Sequence, residues 1–244
     1  MRLHLPSSRR EVLVPSKKIV FVLVEGPSDR IALEALFNKV FPNVYIHVEY
    51  GDITTHLHPL SSSSSILSLI GNRVSVYLKN NNINRSRIIE IIHIVDTDGA
   101  YIPDNAVVFD EDADSPVYTE ENIRTKDTNS IRKRNRQKRD CLDKLISTSA
   151  IWEIPFHIYF MSSNLDHVIS DAMNLNADKK KSNAVRFALR YRDDISGFLA
   201  FLIDNGISVC KDYRESWEFI KADRNSLKRL TNINICFSKD EVMS

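Results

Sequence analysis

Acidic residues stand at the ends of three apolar runs in this chain of 244 residues. They are Glu25, Asp29, Asp52, Asp96 and Asp98. Three of the six glycines, Gly26, Gly51 and Gly99, stand beside them. Mg²⁺ prefers oxygen ligands and is held by a few carboxylates together with waters and substrate phosphates. Because several carboxylates brought together would repel one another without a cation, the residue types favour a Mg²⁺ or Mn²⁺ site.

The apolar runs themselves predict the elements that position these carboxylates. Residues Ile19–Val24 are a continuous apolar run, typical of a strand buried on both faces of a sheet, and 44–48, 88–95 and 156–161 are predicted as further strands. Helical spacing follows the first run, with Ser28 as the expected N-cap, and recurs over 178–192, 195–204 and 214–230. The alternation predicts an α/β fold with a mostly parallel central sheet flanked by helices. In such a sheet the ligand crevice lies at the carboxyl ends of the strands.

Composition sets the wider expectations. We predict an N-terminal arm over 1–16, an α/β domain over 17–172 with a charged insertion at about 101–150, and a helical C-terminal extension over 173–244.

The net charge of +1 gives no general argument for a nucleic-acid partner. Three cysteines without a CxxC pair exclude a zinc ribbon and suit a reducing compartment. With no signal-peptide pattern and no run that could cross a bilayer, we expect a cytoplasmic protein without a membrane partner.

Two short motifs carry a family resemblance. Val-Glu-Gly at 24–26 and Asp-Thr-Asp-Gly at 96–99, each at a predicted strand end, resemble the motifs of the Toprim domain family. The resemblance covers roughly residues 17–170. It is closest to the small overcoming-lysogenization-defect-like nucleases and to the Toprim effectors of phage defence. Topoisomerases and primases of the family need a nucleophilic-tyrosine domain or a zinc module, for which this chain has neither room nor ligands.

The resemblance implies roles for particular residues. Glu25 matches the family glutamate, a metal ligand or general acid/base, and Asp96 and Asp98 match the metal-binding pair, so that all three are expected to be catalytic. Asp166, after the last predicted strand, matches a further acidic residue that helps to hold a second metal. The implied cofactor is one or two Mg²⁺ or Mn²⁺ ions. The implied activity is hydrolysis of phosphodiesters in DNA or RNA, with a defence role.

Other functions stay open beside this one. A catalytically silent Toprim module that binds nucleic acid or a protein partner would carry the same motifs. A phosphotransfer enzyme is a third alternative, which the absence of a Walker loop and of a dinucleotide-binding glycine motif weakens. A regulatory protein partner and the oligomeric state are not determined by the sequence. Metal dependence would separate the nuclease from the silent module.

Some neighbouring polar residues have simpler explanations. Asp29 is as well explained by favourable charge at a helix N-terminus as by catalysis. Asp52, after Gly51, suits an ordinary turn. His56 and His58 are interpreted as solvated loop residues rather than ligands.

Charge is distributed unevenly. Residues 101–123 carry seven acidic and no basic side chains, whereas 124–139 carry eight basic ones and a single acid. A helix from about Ser130 would be basic around most of its circumference, which favours nucleic-acid contact. The expected contact residues are Arg132, Lys133, Arg134, Arg136, Lys138 and Arg139. The alternative is a helix that pairs internally with the acidic stretch. A second basic group at 179–192 indicates an ordinary amphipathic helix.

Overall fold

The computed structural model describes residues 17–55, 65–209 and 212–238. The predicted arm at 1–16 and the pair His56 and His58 lie outside these ranges. The strands are β1 (Ile19–Val24), β2 (Tyr45–Tyr50), β3 (Ile88–Asp96), β4 (Val107–Phe109), β5 (Val117–Tyr118), β6 (Ile123–Thr125), β7 (Ala150–Ile151), β8 (Ile154–Ser162) and β9 (Leu230–Thr231). The helices are α1 (Pro27–Val40), α2 (Ile66–Asn81), α3 (Thr128–Ile146), α4 (Leu165–Ser170), α5 (Ala177–Tyr191), α6 (Ile195–Asp204), α7 (Tyr213–Lys221) and α8 (Ile233–Phe237). None of the described helices is both long enough and apolar enough to cross a membrane.

The central sheet has the order β2-β1-β3-β8-β7, and its first four strands are parallel. The short strands β7 and β9 pair with the two ends of β8 in antiparallel fashion. Helices cover both faces, so the predicted α/β class with a mostly parallel sheet is confirmed. The carboxyl ends of β1, β3 and β8 therefore meet at one edge of the sheet.

The two faces of the sheet bury different side chains. On β3, Ile94 packs with α1, α5 and α6, whereas on β1, Leu23 packs on the other side with α2, α3 and α7. Side chains alternate along a strand. Glu25 therefore continues the side of Leu23, and Asp96 continues the side of Ile94. The strand-end carboxylates start from opposite faces and can meet only beyond the edge of the sheet.

The charged insertion is an ordered part of the structure. It contains a small sheet, with the order β4-β6-β5, and the long helix α3. The helix begins at Thr128, because the carboxylate of Asp127 accepts a hydrogen bond from the backbone N–H of Ser130 at 2.9 Å. The strands of this small sheet were not predicted from the sequence.

The C-terminal residues are more than a helical extension. The helix predicted over 214–230 is confirmed as far as Lys221, where α7 ends, and is wrong beyond it, since the chain turns at 225–227 into β9. The carbonyl of Ser226 accepts hydrogen bonds from Thr97 Oγ1 at 2.6 Å and from the N–H of Gly99 at 3.1 Å. This C-terminal turn thus supports the Asp-Thr-Asp-Gly segment after β3.

A substitution at Gly99 tests whether the C-terminal turn packs against this segment. The φ of Gly99 is +67°, and an added Cβ would lie 2.8 Å from Leu227 Cδ2. Gly206 has a similar φ of +65° but nothing within 4 Å of an added Cβ. We expect Gly206→Ala to lower the free energy of unfolding by about 1–2 kcal/mol, the cost of the left-handed backbone alone. Gly99→Ala should lower it by about 1–3 kcal/mol more, because the core is also overpacked.

Urea denaturation of both variants measures the difference. Equal losses in the two would contradict close packing of the C-terminal turn against Gly99.

Candidate active site

Carboxylates from three strand ends surround the carboxyl edge of the sheet. Glu25 follows β1, Asp96 ends β3, and Asp166 lies in the first turn of α4, directly after β8. Burial raises the pKa of Asp96 well above its ordinary value, and the nearby charges of Asp29, Glu25 and Asp98 raise it further. Asp166 is connected to these residues through its effect on the pKa of Asp29. The predicted site residues and Asp29 therefore form one electrostatically connected group, which we call the carboxylate cluster: Glu25, Asp29, Asp96, Asp98 and Asp166.

A fully buried lysine binds one side of this cluster. Lys138 Nζ lies 2.5 Å from Asp98 Oδ2, 3.2 Å from each carboxylate oxygen of Glu25, and 2.9 Å from Thr55 Oγ1. From the sequence, Lys138 is expected on a surface that contacts nucleic acid. The structure instead buries its side chain completely, because the ammonium is the counterion of two carboxylates from different strands.

The charges of this group stabilise one another. Although burial alone would lower the pKa of Lys138, the carboxylates of Asp98 and Glu25 raise it above its ordinary value. Burial raises the pKa of Glu25 to about 8, even though the Lys138 ammonium lowers it. Glu25 is thus a carboxyl group whose charged form depends on a positive charge close by.

A pattern in the sequence of α3 does mark Lys138. The buried positions of this helix follow helical spacing, and Lys138 is one of them: Ile131, Asn135, Lys138, Cys141, Leu142 and Leu145. Because basic residues lie on either side of this stripe, charge density alone does not reveal it. A lysine on the inward stripe of an otherwise amphipathic helix is the feature that could have identified it.

The loop after β2 holds Glu25 in place. Asp52 Oδ1 accepts hydrogen bonds from the N–H groups of Thr54 and Thr55, both at 2.9 Å. Thr54 Oγ1 in turn donates to Glu25 Oε1 at 2.9 Å. Although burial opposes its charge, Lys138 and these amides lower the pKa of Asp52. Asp52 is a turn residue, as expected, and its turn supports the first carboxylate of the cluster.

The other side of the cluster lies towards α1 and α5. Asp29 Oδ2 accepts a hydrogen bond from the N–H of Gly26 at 2.7 Å, so α1 is capped at Gly26 rather than at Ser28. Burial raises the pKa of Asp29 to about 6, and the charge of Asp166 adds to this effect. Asp29 therefore serves the helix N-terminus and also belongs to the cluster.

Asp96 and Asp166 complete this side. Asp96 Oδ1 accepts a hydrogen bond from the N–H of Leu165 at 3.2 Å. Asp166 is buried and pairs with Lys180 at 3.6 Å. Its Oδ1 atom is buried and has no hydrogen-bond partner within the described ranges. A buried carboxylate oxygen without a donor is an atom to which a cation could bind.

The donor set fits a hard cation in chemical type, since it consists of carboxylate oxygens with limited exposure to water. Yet among residues 17–55, 65–209 and 212–238, no three His, Cys, Asp or Glu side chains are arranged so that they could hold a metal ion. The Lys138 ammonium explains part of this arrangement, because it lies against Glu25 and Asp98. A cation bound by these two carboxylates would compete with Lys138 for the same oxygen atoms.

Most of the basic side chains on α3 are engaged within the protein. Three of its arginines donate to backbone carbonyls: Arg132, Arg134 and Arg139. Arg134 binds the carbonyl of Asp98 at 2.8 Å, and Arg136 pairs with Asp104 at 3.1 Å. Of the six expected contact residues, only Lys133 and Arg136 are exposed to solvent. Contacts within the protein therefore account for most of the basic side chains of α3. Nucleic-acid contact at the exposed Lys133 and Arg136 stays a prediction.

Comparison with known proteins finds no matching family, no matching curated protein and no matching solved structure. The proposal for this site therefore depends on its own geometry and on the two motifs.

Replacing Lys138 tests its role as counterion. Lys138→Met leaves the nearly buried Glu25 and the partly buried Asp98 without a positive charge, so we expect a loss of about 3–5 kcal/mol in the free energy of unfolding. The same substitution at exposed Lys133, on the same helix, should cost less than about 0.5 kcal/mol. Urea denaturation of both variants compares them directly.

The loss in Lys138→Met should also be smaller near pH 6 than near pH 10, because the folded pKa of Glu25 is about 8 in the wild type and its carboxylate needs the ammonium only above that pH. A carboxyl group whose pKa is raised by folding, as for Glu25, contributes stability below its unfolded pKa and loses it as pH rises through its folded pKa. Removing Lys138 raises that folded pKa further. Equal stability of the two variants at both pH values would contradict the counterion role.

Proposed function

We propose that this chain is a Mg²⁺-dependent nuclease with a Toprim-type site that hydrolyses phosphodiesters of DNA or RNA. One observation carries the proposal: carboxylates following β1 and β3 and at the start of α4 lie in one buried, electrostatically connected cluster at the carboxyl edge of a parallel sheet. A single surface carboxylate would not show such mutual effects on pKa. The Val-Glu-Gly and Asp-Thr-Asp-Gly motifs support the family assignment.

The residues have distinct parts in this proposal. Glu25, Asp96 and Asp98 would hold the cation, with Asp166 available for a second ion. Bound Mg²⁺ or Mn²⁺ supplies Lewis-acid chemistry at a phosphodiester and activates water. Lys138 neutralises Glu25 and Asp98 when no cation is bound, and it would give up these contacts to a cation, which competes for the same oxygen atoms. Asp52 fixes the loop that orients Glu25. A cytoplasmic role in defence against phage belongs to the same proposal, on the resemblance alone.

A second candidate is a catalytically silent module that binds nucleic acid or a protein. The contact of Lys138 with Glu25 and Asp98 favours it, because that ion pair satisfies two of the predicted metal ligands without a metal. The two candidates differ in one observable property. The nuclease cleaves nucleic acid only when a divalent cation is present, whereas the silent module binds without cleaving.

Charge-removing substitutions test the site. Glu25→Gln and Asp96→Asn keep size and hydrogen bonding, and each should reduce cleavage by about two to four orders of magnitude, the usual scale for a lost acid/base or metal role. The double variant should be little worse than either single one, because residues that act as a unit are not additive. The assay uses single-stranded and duplex DNA and RNA, including transfer RNA, with Mg²⁺, with Mn²⁺ and with chelator.

Glu111→Gln is the matched control, since Glu111 is exposed and outside the cluster. It should cleave like the wild type, and melting curves should show that all variants are folded. Full cleavage by a folded Glu25→Gln protein would remove the support for this active site.

A further inference from the structure

A second basic surface lies on α5, next to the carboxylate cluster. Lys179, Asn183, Arg186 and Arg190 recur at helical spacing and so form one stripe along the helix. The three basic side chains are exposed. Among the described residues, the ion pairs of this region are made instead by Lys180 with Asp166 and by the neighbouring Arg192 with Asp193. The stripe is therefore positive and available, unlike the arginines of α3 that bind backbone carbonyls.

A groove with an aromatic floor runs beside the stripe. It has a volume of about 250 Å³, lies between α4, α5 and α6, and is lined by residues that include Arg186, Arg190, Tyr191 and Phe201. The Arg190 guanidinium lies 5.0 Å from the centroid of the Tyr191 ring. Tyr191 is buried, whereas Phe201 is partly exposed, with the Arg229 guanidinium 5.7 Å from the centroid of its ring. Basic side chains next to aromatic rings are the combination with which proteins hold unpaired nucleic-acid strands.

The stripe is connected to the carboxylate cluster through Asp166. Lys180 of α5 pairs with the Asp166 side chain, and Ser170 Oγ donates to the Asp166 carbonyl at 2.8 Å. Asn183 Nδ2 donates to Ser170 Oγ at 3.1 Å and so links the stripe to this chain of contacts. From Lys179 to Arg190 the helix rises about 16 Å. That length spans several phosphates of one strand.

We infer that the α5 stripe and its groove bind the backbone of a single-stranded nucleic acid and lead it to the carboxylate cluster. This inference rests on the proposed function and names its substrate surface. Arginine guanidinium groups bind phosphate oxygens in paired hydrogen bonds. The partly exposed Phe201 ring accepts a base by stacking, which requires that the base be unpaired. A duplex offers its phosphates to the stripe but no free base to the groove.

The test measures binding in chelator, so that no cleavage interferes. The ligands are labelled oligonucleotides of one sequence, as single-stranded DNA, single-stranded RNA and duplex DNA, at two salt concentrations. Arg186→Ser with Arg190→Ser should weaken single-strand binding at least about tenfold. It should also reduce the slope of log affinity against log salt by about 1.4, since each phosphate contact contributes about 0.7 for single strands. Preference for DNA or for RNA identifies the natural strand.

The matched control is Lys181→Ser with Arg192→Ser. These residues are exposed, lie outside the groove, and remove the same charge from the same region. This variant should keep its affinity within about twofold. Because the Arg190 guanidinium lies over the Tyr191 ring, Arg186→Gln with Arg190→Gln repeats the test with a longer polar side chain at both positions, and melting curves accompany every variant.

Unchanged affinity and salt slope in both groove variants would overturn the inference. An equal loss in the control, or duplex binding as tight as single-strand binding, would overturn it as well. The two proposals fail separately. A wild type that binds through the stripe but cleaves with neither Mg²⁺ nor Mn²⁺ contradicts the nuclease and leaves the binding surface intact. A wild type that cleaves, with groove variants that bind and cleave as it does, contradicts only the surface.

Discussion

A buried ammonium among buried carboxylates is the interaction on which the rest of the structure depends. Removing charged groups from water costs several kcal/mol for each ion unless they are paired at close range. Lys138 Nζ meets this condition, with Asp98 at 2.5 Å and Glu25 at 3.2 Å. Because Lys138 belongs to α3, the insertion at about 101–150 cannot be a loosely attached charged segment. It supplies the counterion that allows two strand ends to lie close together.

The turn that carries Asp98 is held from several directions. Asp98 has a φ of +47°, an uncommon conformation for a residue with a side chain, and Gly99 follows it with a φ of +67°. Arg134 binds the carbonyl of Asp98, and the backbone N–H of Asp98 donates a hydrogen bond to the carbonyl of Ser163 at 2.8 Å. Ser226 supports the same turn from the C-terminal segment. Such a backbone persists because the surrounding structure determines it.

The sequence predicted what depends on local pattern and missed what depends on distant partners. The apolar runs of β1, β3 and β8 identified the sheet and placed Glu25 and Asp96 at its edge. Lys138 was misplaced, because charge density suggested a surface that contacts nucleic acid, whereas its position on the inward stripe depends on carboxylates 113 and 40 residues away. The helix predicted over 214–230 is wrong beyond Lys221 for a related reason. Strand β9 forms because residue 231 pairs with β8, and no local periodicity reports that contact.

The geometry of the cluster limits how any substrate can reach it. Glu25 extends from the α3 side of the sheet and Asp96 from the α1 and α5 side, so neither face alone gives access to both. Their charges influence one another because both lie at the ends of their strands. A ligand that contacts both must therefore lie across the edge of the sheet, between α3 and α5. On one flank the arginines are largely bound to carbonyls, and on the other they are exposed. The net charge of +1 conceals this difference, since it counts charges without their positions.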